Sequence, residues 1–276
     1  MNDELKQKTE RLLDLIRSFE SCAVAFSAGV DSTVVAKAAR LALGDRAIAV
    51  TGVSASLAIG ELDEAKQLAK QIGIRHELVV TEEQRNPDYA RNASDRCYHC
   101  KTELYQKLEG LSEKFNVAVT LSGANADDAG DYRPGMKAAT DLGVCSPLLE
   151  CGITKSEVRA LAEAWDLPVW DKPAAPCLAS RVAYGVEVTS ERLTMIDQAE
   201  SFLKNLGLAD CRVRYHEGDM ARIEVLPNDV PKLVQSPYRE DLIAKLKELG
   251  FKFVSLDLEG FRSGSLNTVL PLETLN

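Results

Sequence analysis

The segment Ser27-Ala28-Gly29-Val30-Asp31-Ser32 sits between a short apolar run at residues 22–26 and a helical pattern at residues 32–43. Small residues and hydroxyls at such a strand-to-helix turn suit an anion, because the turn and the helix N-terminus both aim backbone N–H groups at it. Gly29 allows close backbone approach, Ser27 and Ser32 add hydroxyl donors, and Asp31 can hold Mg2+ against a pyrophosphate. The chain contains no Gly-x-x-x-x-Gly-Lys-Ser/Thr, so this is not the Walker loop of kinases and GTPases. The plain alternative is an ordinary turn with Ser32 as the helix cap.

A second loop, Leu121-Ser122-Gly123-Ala124-Asn125-Ala126-Asp127-Asp128-Ala129-Gly130-Asp131-Tyr132-Arg133-Pro134-Gly135, also follows an apolar run. Asp127, Asp128 or Asp131 can bind a hydrated cation, and Arg133 can pair with a carboxylate or phosphate; a solvated acidic loop is the alternative. Cys97 and Cys100, at i and i+3 in the first turns of a helix capped by Ser94 or Asp95, share one helix face, and the positive helix end favours their thiolates. Three readings compete, a redox pair, half of a zinc site or two ligands of an iron–sulfur cluster, and the place of the motif in a nucleotide-binding fold argues against the first. Cys177 lies in a proline-rich loop ahead of Ser180 and Arg181. Arg212 and Arg214 alternate along a predicted strand, so both face one side and read as a clamp for phosphate or carboxylate, or else as surface ion pairs. Cys22, Cys145, Cys151 and Cys211 have no partner at ligand spacing and read as small buried hydrophobes. His76, His99 and His216 form no pair at ligand spacing, which gives no histidine metal site.

The elements that must position these residues alternate. Strands are predicted at residues 22–26, 47–53, 75–79 and 118–122, and helices at 5–19, 32–43, 62–72, 95–108 and 154–165, with apolar residues at helical spacing in the first of these. This rhythm predicts an α/β parallel sheet with helices on both faces, whose ligands bind at the carboxyl ends of the strands. The alternation stops after Asp166, and a boundary is expected near Tyr184-Gly185. Beyond it, helices at 190–206 and 238–249 with strands at 211–215, 221–225 and 253–257 predict a small α+β domain, dividing the chain into 1–184 and 185–276.

The chain has 276 residues, seven cysteines and a formal net charge of −9. That length supports one large domain or a large and a small one. The acidic balance argues against nucleic acid and anionic membrane surfaces as partners. A start without a basic and apolar leader, and no apolar run long enough to span a bilayer, predict a cytoplasmic protein with reduced thiols.

The first turn resembles the PP-loop, usually Ser-Gly-Gly-x-Asp-Ser, of enzymes that cleave ATP between the α and β phosphates and so adenylate a carboxylate or carbonyl oxygen. Ala28 stands where that motif has its first glycine, which is tolerable if φ there is negative. The second loop resembles the Gly-x-Asn-x-Asp-Asp-x-x-Asp-Tyr-Arg-Pro-Gly signature of the LarE family. These are ATP-dependent sulfur transferases that make the nickel-pincer nucleotide cofactor of lactate racemase. Arg96-Cys97-Tyr98-His99-Cys100-Lys101, Cys177-Leu178-Ala179-Ser180-Arg181, Arg212-Val213-Arg214-Tyr215-His216 and residues 256–264 extend the resemblance over nearly the whole chain.

The resemblance implies ATP and Mg2+ held by Ser27, Gly29, Asp31, Ser32 and Gly123, with Asp128 as a second Mg2+ residue. It implies that the substrate, pyridinium-3,5-biscarboxylic acid mononucleotide, is bound by Ser180, Arg181, Arg212, Arg214 and Arg133. Glu200 and Glu224 match acidic positions linked to metal or substrate. Cys177 matches the sulfur-donating position, where a sacrificial cysteine ends as dehydroalanine. Cys97 and Cys100 beside it resemble the three-cysteine branch, in which three thiolates hold a [4Fe-4S] cluster that carries a replaceable sulfide. A sulfide source and a homo-oligomer are further expectations. Three other readings stand against this one: an amidotransferase or NAD synthetase-like ligase, whose ammonia chemistry has no use for three cysteines; a tRNA thiolase, which needs a basic face; and a nucleotide-binding regulator without turnover.

Overall fold

The computed structural model describes residues 2–130, 134–173, 175–208, 210–262 and 264–269. Its first half follows the order α1 (Asp3–Arg17), β1 (Cys22–Ala25), α2 (Val30–Leu43), β2 (Ala47–Val53), α3 (Glu61–Ile72), β3 (Arg75–Val80), α4 (Pro87–Ala90), α5 (Arg96–Phe115) and β4 (Val119–Leu121). The helices α6 (Pro134–Asp141), α7 (Pro147–Glu150) and α8 (Lys155–Ala164) complete it. The strands form a parallel sheet in the order β3-β2-β1-β4, and a bridge from Leu121 to Cys145 extends the β4 edge.

The alternation of side chains along β1 and β2 explains the layering. Cys22, Val24, Ala47 and Ala49 point into a core shared with α1, α2, α3 and α8. Ala23, Ala25, Ile48 and Val50 point into a second core against α5 and α6. Helices therefore cover both faces, as the βαβ rhythm predicts. The small residues of β1 let α2 pack closely, with Ala36, Ala38 and Ala39 fully buried. Burying leucines such as Leu12, Leu121 and Leu161 contributes about 1.5–3 kcal/mol each. Helix α1 starts where Asn2 Oδ1 accepts from the Leu5 N–H at 2.8 Å, and α8 starts with a Thr154/Glu157 capping box. Lys8 then ties α1 to α8 through Glu157 at 2.8 and 2.9 Å.

The second half contains α9 (Ser190–Asn205), β5 (Cys211–His216), β6 (Met220–Val225), α10 (Val230–Leu233), α11 (Tyr238–Glu248) and β7 (Phe253–Leu256). β5 pairs antiparallel with β6, and β6 parallel with β7, giving the predicted small α+β unit. Its core also takes in Tyr89 from α4 and Leu178, Ala179 and Val182 from the proline-rich loop. No helix among the described residues is long and apolar enough to cross a membrane.

The two halves are joined by a short set of hydrogen bonds around Asn92. This residue is fully buried and left-handed, with φ 56°, a conformation that asparagine tolerates better than most residues. Its Nδ2 donates to the carbonyls of Val182, Ala183 and Val186 at 3.2, 2.8 and 2.9 Å, and its own carbonyl accepts from Gly185 at 3.1 Å. Replacing Asn92 by Ala leaves those carbonyls short of a donor and puts a less tolerant residue at positive φ. Asn92→Ala is expected to lower stability by about 2–4 kcal/mol, read from the urea midpoint at unchanged slope.

Candidate active site at the sheet edge and the connecting loop

The turn after β1 places Gly29 as the N-cap of α2 with φ −75° and ψ 158°, an extended conformation open to any residue. The demanding position is Ala28, at φ 58°. The expectation of a negative φ there is therefore corrected: alanine occupies the left-handed region, at a cost of about 1–2 kcal/mol. Its methyl is 1% exposed inside the main core, and that burial offsets part of the strain, by about 0.8 kcal/mol. Ser32 Oγ accepts from the Ser27 N–H at 3.2 Å and donates to the Gly29 carbonyl at 3.1 Å, with the Ser27 hydroxyl 3.2 Å away. The hydroxyls of the turn thus satisfy one another.

Gly123 follows β4 and lies against the start of α2. A Cβ there would meet Ser32 N at 2.9 Å and Ser32 Cα at 3.2 Å, so glycine is required by packing on the nucleotide turn. Asp31 is held by Asn125 Nδ2 at 3.1 Å and by Lys155 Nζ at 2.5 Å. The backbone N–H of Lys155 donates to Asp127 Oδ2 at 2.8 Å. Asp128 is buried, and its Oδ2 accepts from the Asn125 N–H at 3.0 Å. Asp31 thus sits beside the turn with an oxygen-rich loop next to it, a donor set that suits Mg2+. Arg133 and Asp131 lie outside the described residues.

Lys172 also reaches the same turn. Its Nζ lies 3.5 Å from the Ala28 carbonyl and 2.7 Å from both oxygens of Glu64. Arg159 of α8 fixes this loop by donating to the Trp170 and Lys172 carbonyls at 2.6 and 2.8 Å.

Cys97 and Cys100 lie in the first turns of α5, and Cys177 precedes a 3-10 turn at Leu178–Arg181 whose Leu178 N–H donates to the Ser56 carbonyl at 3.0 Å. Although Cys97 and Cys177 are 80 positions apart in sequence, charge on Cys97 raises the pKa of both Cys100 and Cys177, and charge on Cys177 raises that of Cys100. The helix-end argument for thiolates is corrected at Cys100. Burial pushes that thiol up to about 12, with the Cys177 and Glu83 charges adding to it and Lys101 opposing. Burial also pushes Cys177 up although the residue has an exposed surface, against the pull of the Arg96 and Arg181 guanidiniums. Burial near a helix start outweighs a dipole worth a fraction of a kcal/mol to about 2 kcal/mol.

Among the described residues no three His, Cys, Asp or Glu side chains are grouped to hold one metal ion. Cys22, Cys151 and Cys211 are buried, and burial pushes Cys22 and Cys211 up to about 12. Cys145 is half-buried and donates to Glu150 Oε1 at 3.2 Å. His76 pairs with the Thr51 hydroxyl at 2.8 Å, and burial lowers its pKa.

The predicted arginines gather next to Cys177, in two buried ion pairs. Arg181 binds Glu200 through Nε and Nη2 at 3.0 and 3.2 Å, and its Nη1 donates to the Cys177 carbonyl at 3.0 Å and to the carbonyl of Pro176. Arg214 binds Glu224 at 3.0 and 2.7 Å and donates to the Ser180 carbonyl at 3.2 Å. Glu224 also accepts from Arg222 at 3.1 Å and Ser265 at 2.6 Å, and Glu200 accepts from the Val213 N–H at 3.1 Å. Arg212 donates to the Cys211 carbonyl at 2.7 Å and lies over the Phe261 ring at 5.0 Å. Burial lowers its pKa, and Arg181 and Arg214 add to that. Among the described residues it has no carboxylate at ion-pair distance, which makes it the guanidinium most available to an anion.

Three residues to which the sequence reading gave no role complete the site. Lys155 and Asn125 hold Asp31. Arg96, 6% exposed, donates to Asn92 Oδ1 and to the Ala179 carbonyl, the latter at 2.9 Å, and so pins the turn after Cys177 to the start of α5. Its position inside the Arg-Cys-Tyr-His-Cys-Lys run was the available signal for Arg96. Lys155 had none beyond its place at a helix start, since its partner is 124 residues away.

A parallel sheet with an anion-binding strand-to-helix turn, and an acidic loop packed on that turn, defines an ATP-using enzyme of the PP-loop class. Residues 4–129 match the asparagine synthase family. An uncharacterized protein of Synechocystis sp. is 45% identical over 96% of this chain and 99% of its own. The pyridinium-3,5-bisthiocarboxylic acid mononucleotide synthase of Lactiplantibacillus plantarum is 34% identical over 96% of both chains. An uncharacterized protein of Methanocaldococcus jannaschii is 32% identical over 63% of this chain and 66% of its own. The chain belongs to the LarE family and is an ATP-dependent sulfurtransferase.

Two outcomes follow from this geometry. Gly123→Ala must displace the start of α2, and ATP affinity measured by calorimetry is expected to fall about tenfold or more while the circular dichroism spectrum is kept. In metal-free reduced protein at pH 8, Cys100 is expected to alkylate on the order of a thousandfold more slowly than an unperturbed thiol, with the rate climbing as pH rises toward its pKa. Peptide-resolved iodoacetamide labelling checks this.

Proposed function

We propose that the protein uses ATP to adenylate a carboxylate of pyridinium-3,5-biscarboxylic acid mononucleotide and converts it to a thiocarboxylate, releasing AMP and pyrophosphate. The observation that carries this reading is the similarity to the L. plantarum synthase over 96% of both chains. In the first half-reaction a carboxylate oxygen bonds to the α-phosphorus as pyrophosphate leaves; in the second a sulfur nucleophile displaces AMP. Ser27, Gly29, Ser32 and Gly123 cradle the phosphates, and Asp31 and Asp128 hold Mg2+, which neutralises phosphate charge when bound. Ser180, Arg181, Arg212, Arg214 and Arg133 hold the anionic groups of the substrate, with Glu200 and Glu224 either orienting those arginines or binding a metal themselves. Residues 1–184 carry adenylation, and residues 185–276 carry substrate binding and assembly into a homo-oligomer in the cytoplasm.

Cys97, Cys100 and Cys177 are the residues to hold a [4Fe-4S] cluster, which when bound supplies an open iron that can carry a replaceable sulfide. Their mutual electrostatic influence supports this reading. A second reading makes Cys177 itself the donor. Its sulfur displaces AMP, the Cβ–S bond then breaks with loss of the α-proton, and dehydroalanine remains at position 177. The exposed surface of Cys177 and the nearby Arg96 guanidinium favour this alternative.

Protein purified without oxygen is expected to hold about four irons and four sulfides, lost in Cys97→Ala and Cys177→Ala. A colourless, iron-free parent whose mass falls by that of one hydrogen sulfide molecule after a single turnover supports the sacrificial route instead. A parent that forms no thiocarboxylate from ATP and the biscarboxylate mononucleotide, with or without iron and sulfide, overturns the assignment.

A further inference from the structure

The loop between β2 and α3, residues 54–60, leaves the carboxyl end of β2, the edge at which a parallel sheet takes its ligands. It is bonded in two directions. Toward the second core, the Ser56 carbonyl accepts from the Leu178 N–H at 3.0 Å, directly after Cys177, and the Ile59 N–H donates to the carboxylate of Asp197 on α9 at 3.1 and 3.3 Å. Toward the first half, Ser54 Oγ donates to Glu83 Oε1 at 2.6 Å and accepts from the Ser56 N–H at 3.2 Å. Ser56 Oγ pairs with the Tyr89 hydroxyl at 2.8 Å.

These anchors are dry. Ser56 is 6% exposed and Tyr89 1%, so solvent does not replace a partner that either hydroxyl loses. Glu83 is buried as well, and its Oε2 has no partner among the described residues, which leaves that carboxylate dependent on Ser54. The Tyr89 hydroxyl also shares the surroundings of the reactive thiols: burial pushes its pKa up, and charge on Cys177 adds more to this than charge on Cys100 or Glu83. Leu178 has its backbone on Ser56 and its side chain in the second core, so Cys177 is placed by a residue held from both halves. Sulfur transfer requires the sulfur and the activated carbonyl to meet closely, and an error of about 1 Å in such a contact costs on the order of a hundredfold in rate.

We propose that Ser56 and Tyr89 are positioning residues of the sulfur-transfer step: their hydroxyl pair fixes the Ser56 carbonyl, which holds the backbone at Leu178 and sets Cys177 against the carboxyl end of β2. The proposal rests on the ATP-dependent sulfur transfer above and on Cys177 taking part in it, either as the donor itself or as a ligand of the group that carries the sulfide.

The test compares the full chain with Ser56→Ala, Tyr89→Phe and the double variant, each checked for the parent's circular dichroism spectrum. Tyr89→Phe, which removes one oxygen from a buried ring, carries the comparison alone if Ser56→Ala does not keep that spectrum. The first readout is thiocarboxylate formed per pyrophosphate released from ATP and the biscarboxylate mononucleotide, with iron and sulfide supplied. An adenylate that meets no sulfur is hydrolysed: water attacks its carbonyl, AMP leaves and the carboxylate returns, so pyrophosphate still appears. Pyrophosphate release is expected to stay within about twofold, while thiocarboxylate per pyrophosphate falls about tenfold or more in each single variant. The double variant is expected to match the lower single variant within about twofold, because both changes break the same bond. The second readout needs no substrate. Residue-resolved hydrogen exchange of the Leu178 amide is expected to quicken about tenfold in each variant. An unchanged yield per pyrophosphate, a parallel loss of pyrophosphate and thiocarboxylate, losses that multiply in the double variant, or unchanged Leu178 exchange overturns the proposal. A parent that forms no thiocarboxylate counts against the functional reading alone, because the exchange comparison still decides whether the hydroxyl pair holds the backbone beside Cys177.

Discussion

The site depends on one buried polar knot. Asn92 gives its amide to three carbonyls of residues 182–186 and accepts from Arg96, which in turn reaches the Ala179 carbonyl. These bonds hold the start of α5, with Cys97 and Cys100, against the loop that carries Cys177. Neither side would place its thiols alone: the α5 cysteines lie on a helix of the nucleotide domain, whereas Leu178, Ala179 and Val182 pack in the core of the second half. A left-handed asparagine at the junction is costly, and so is a buried guanidinium held by neutral acceptors. Such a pair persists where the surrounding packing over-determines it.

Charge is distributed to match. The chain is acidic overall, yet Arg96, Arg181 and Arg214 are buried within a short stretch of the junction, and half-buried Arg212 stands beside them. Glu200 and Glu224 neutralise two of the four. Removing one member of such a buried pair costs about 3–5 kcal/mol, which makes Arg181 and Arg214 part of the scaffold as well as candidates for substrate contact. Arg181 joins the two roles directly, since the guanidinium that binds Glu200 also donates to the carbonyls of Pro176 and Cys177.

The order of the elements was legible because it rests on local pattern. The apolar runs gave the four parallel strands and the second sheet. Helices α4, α6 and α7 escaped because proline- and glycine-rich text reads as loop. The residue types of the site were legible as well, since serines, glycine and aspartate at a strand-to-helix turn have few other uses. Their pairings were not. Arg212 and Arg214 on one strand face suggest an anion clamp, but nothing in the sequence says that Glu224 occupies Arg214 from within. Ala28 is a similar case: its identity was plain, whereas its φ of 58° is set by how the turn meets α2.

The thiol chemistry shows why local rules failed at this place. A helix N-terminus lowers a thiol pKa when the thiol stays solvated, but Cys100 lies against the second core, where desolvation dominates. A protonated thiol is a poor nucleophile and resists oxidation, so burial disfavours reaction at Cys100. A bound cation or a repacked junction would offset that desolvation penalty. The nucleotide turn also keeps its charge paired: Asp31 accepts from Lys155 Nζ at 2.5 Å and from Asn125 Nδ2 at 3.1 Å. At both ends of the site the charged groups are therefore held in a satisfied pair or an uncharged form.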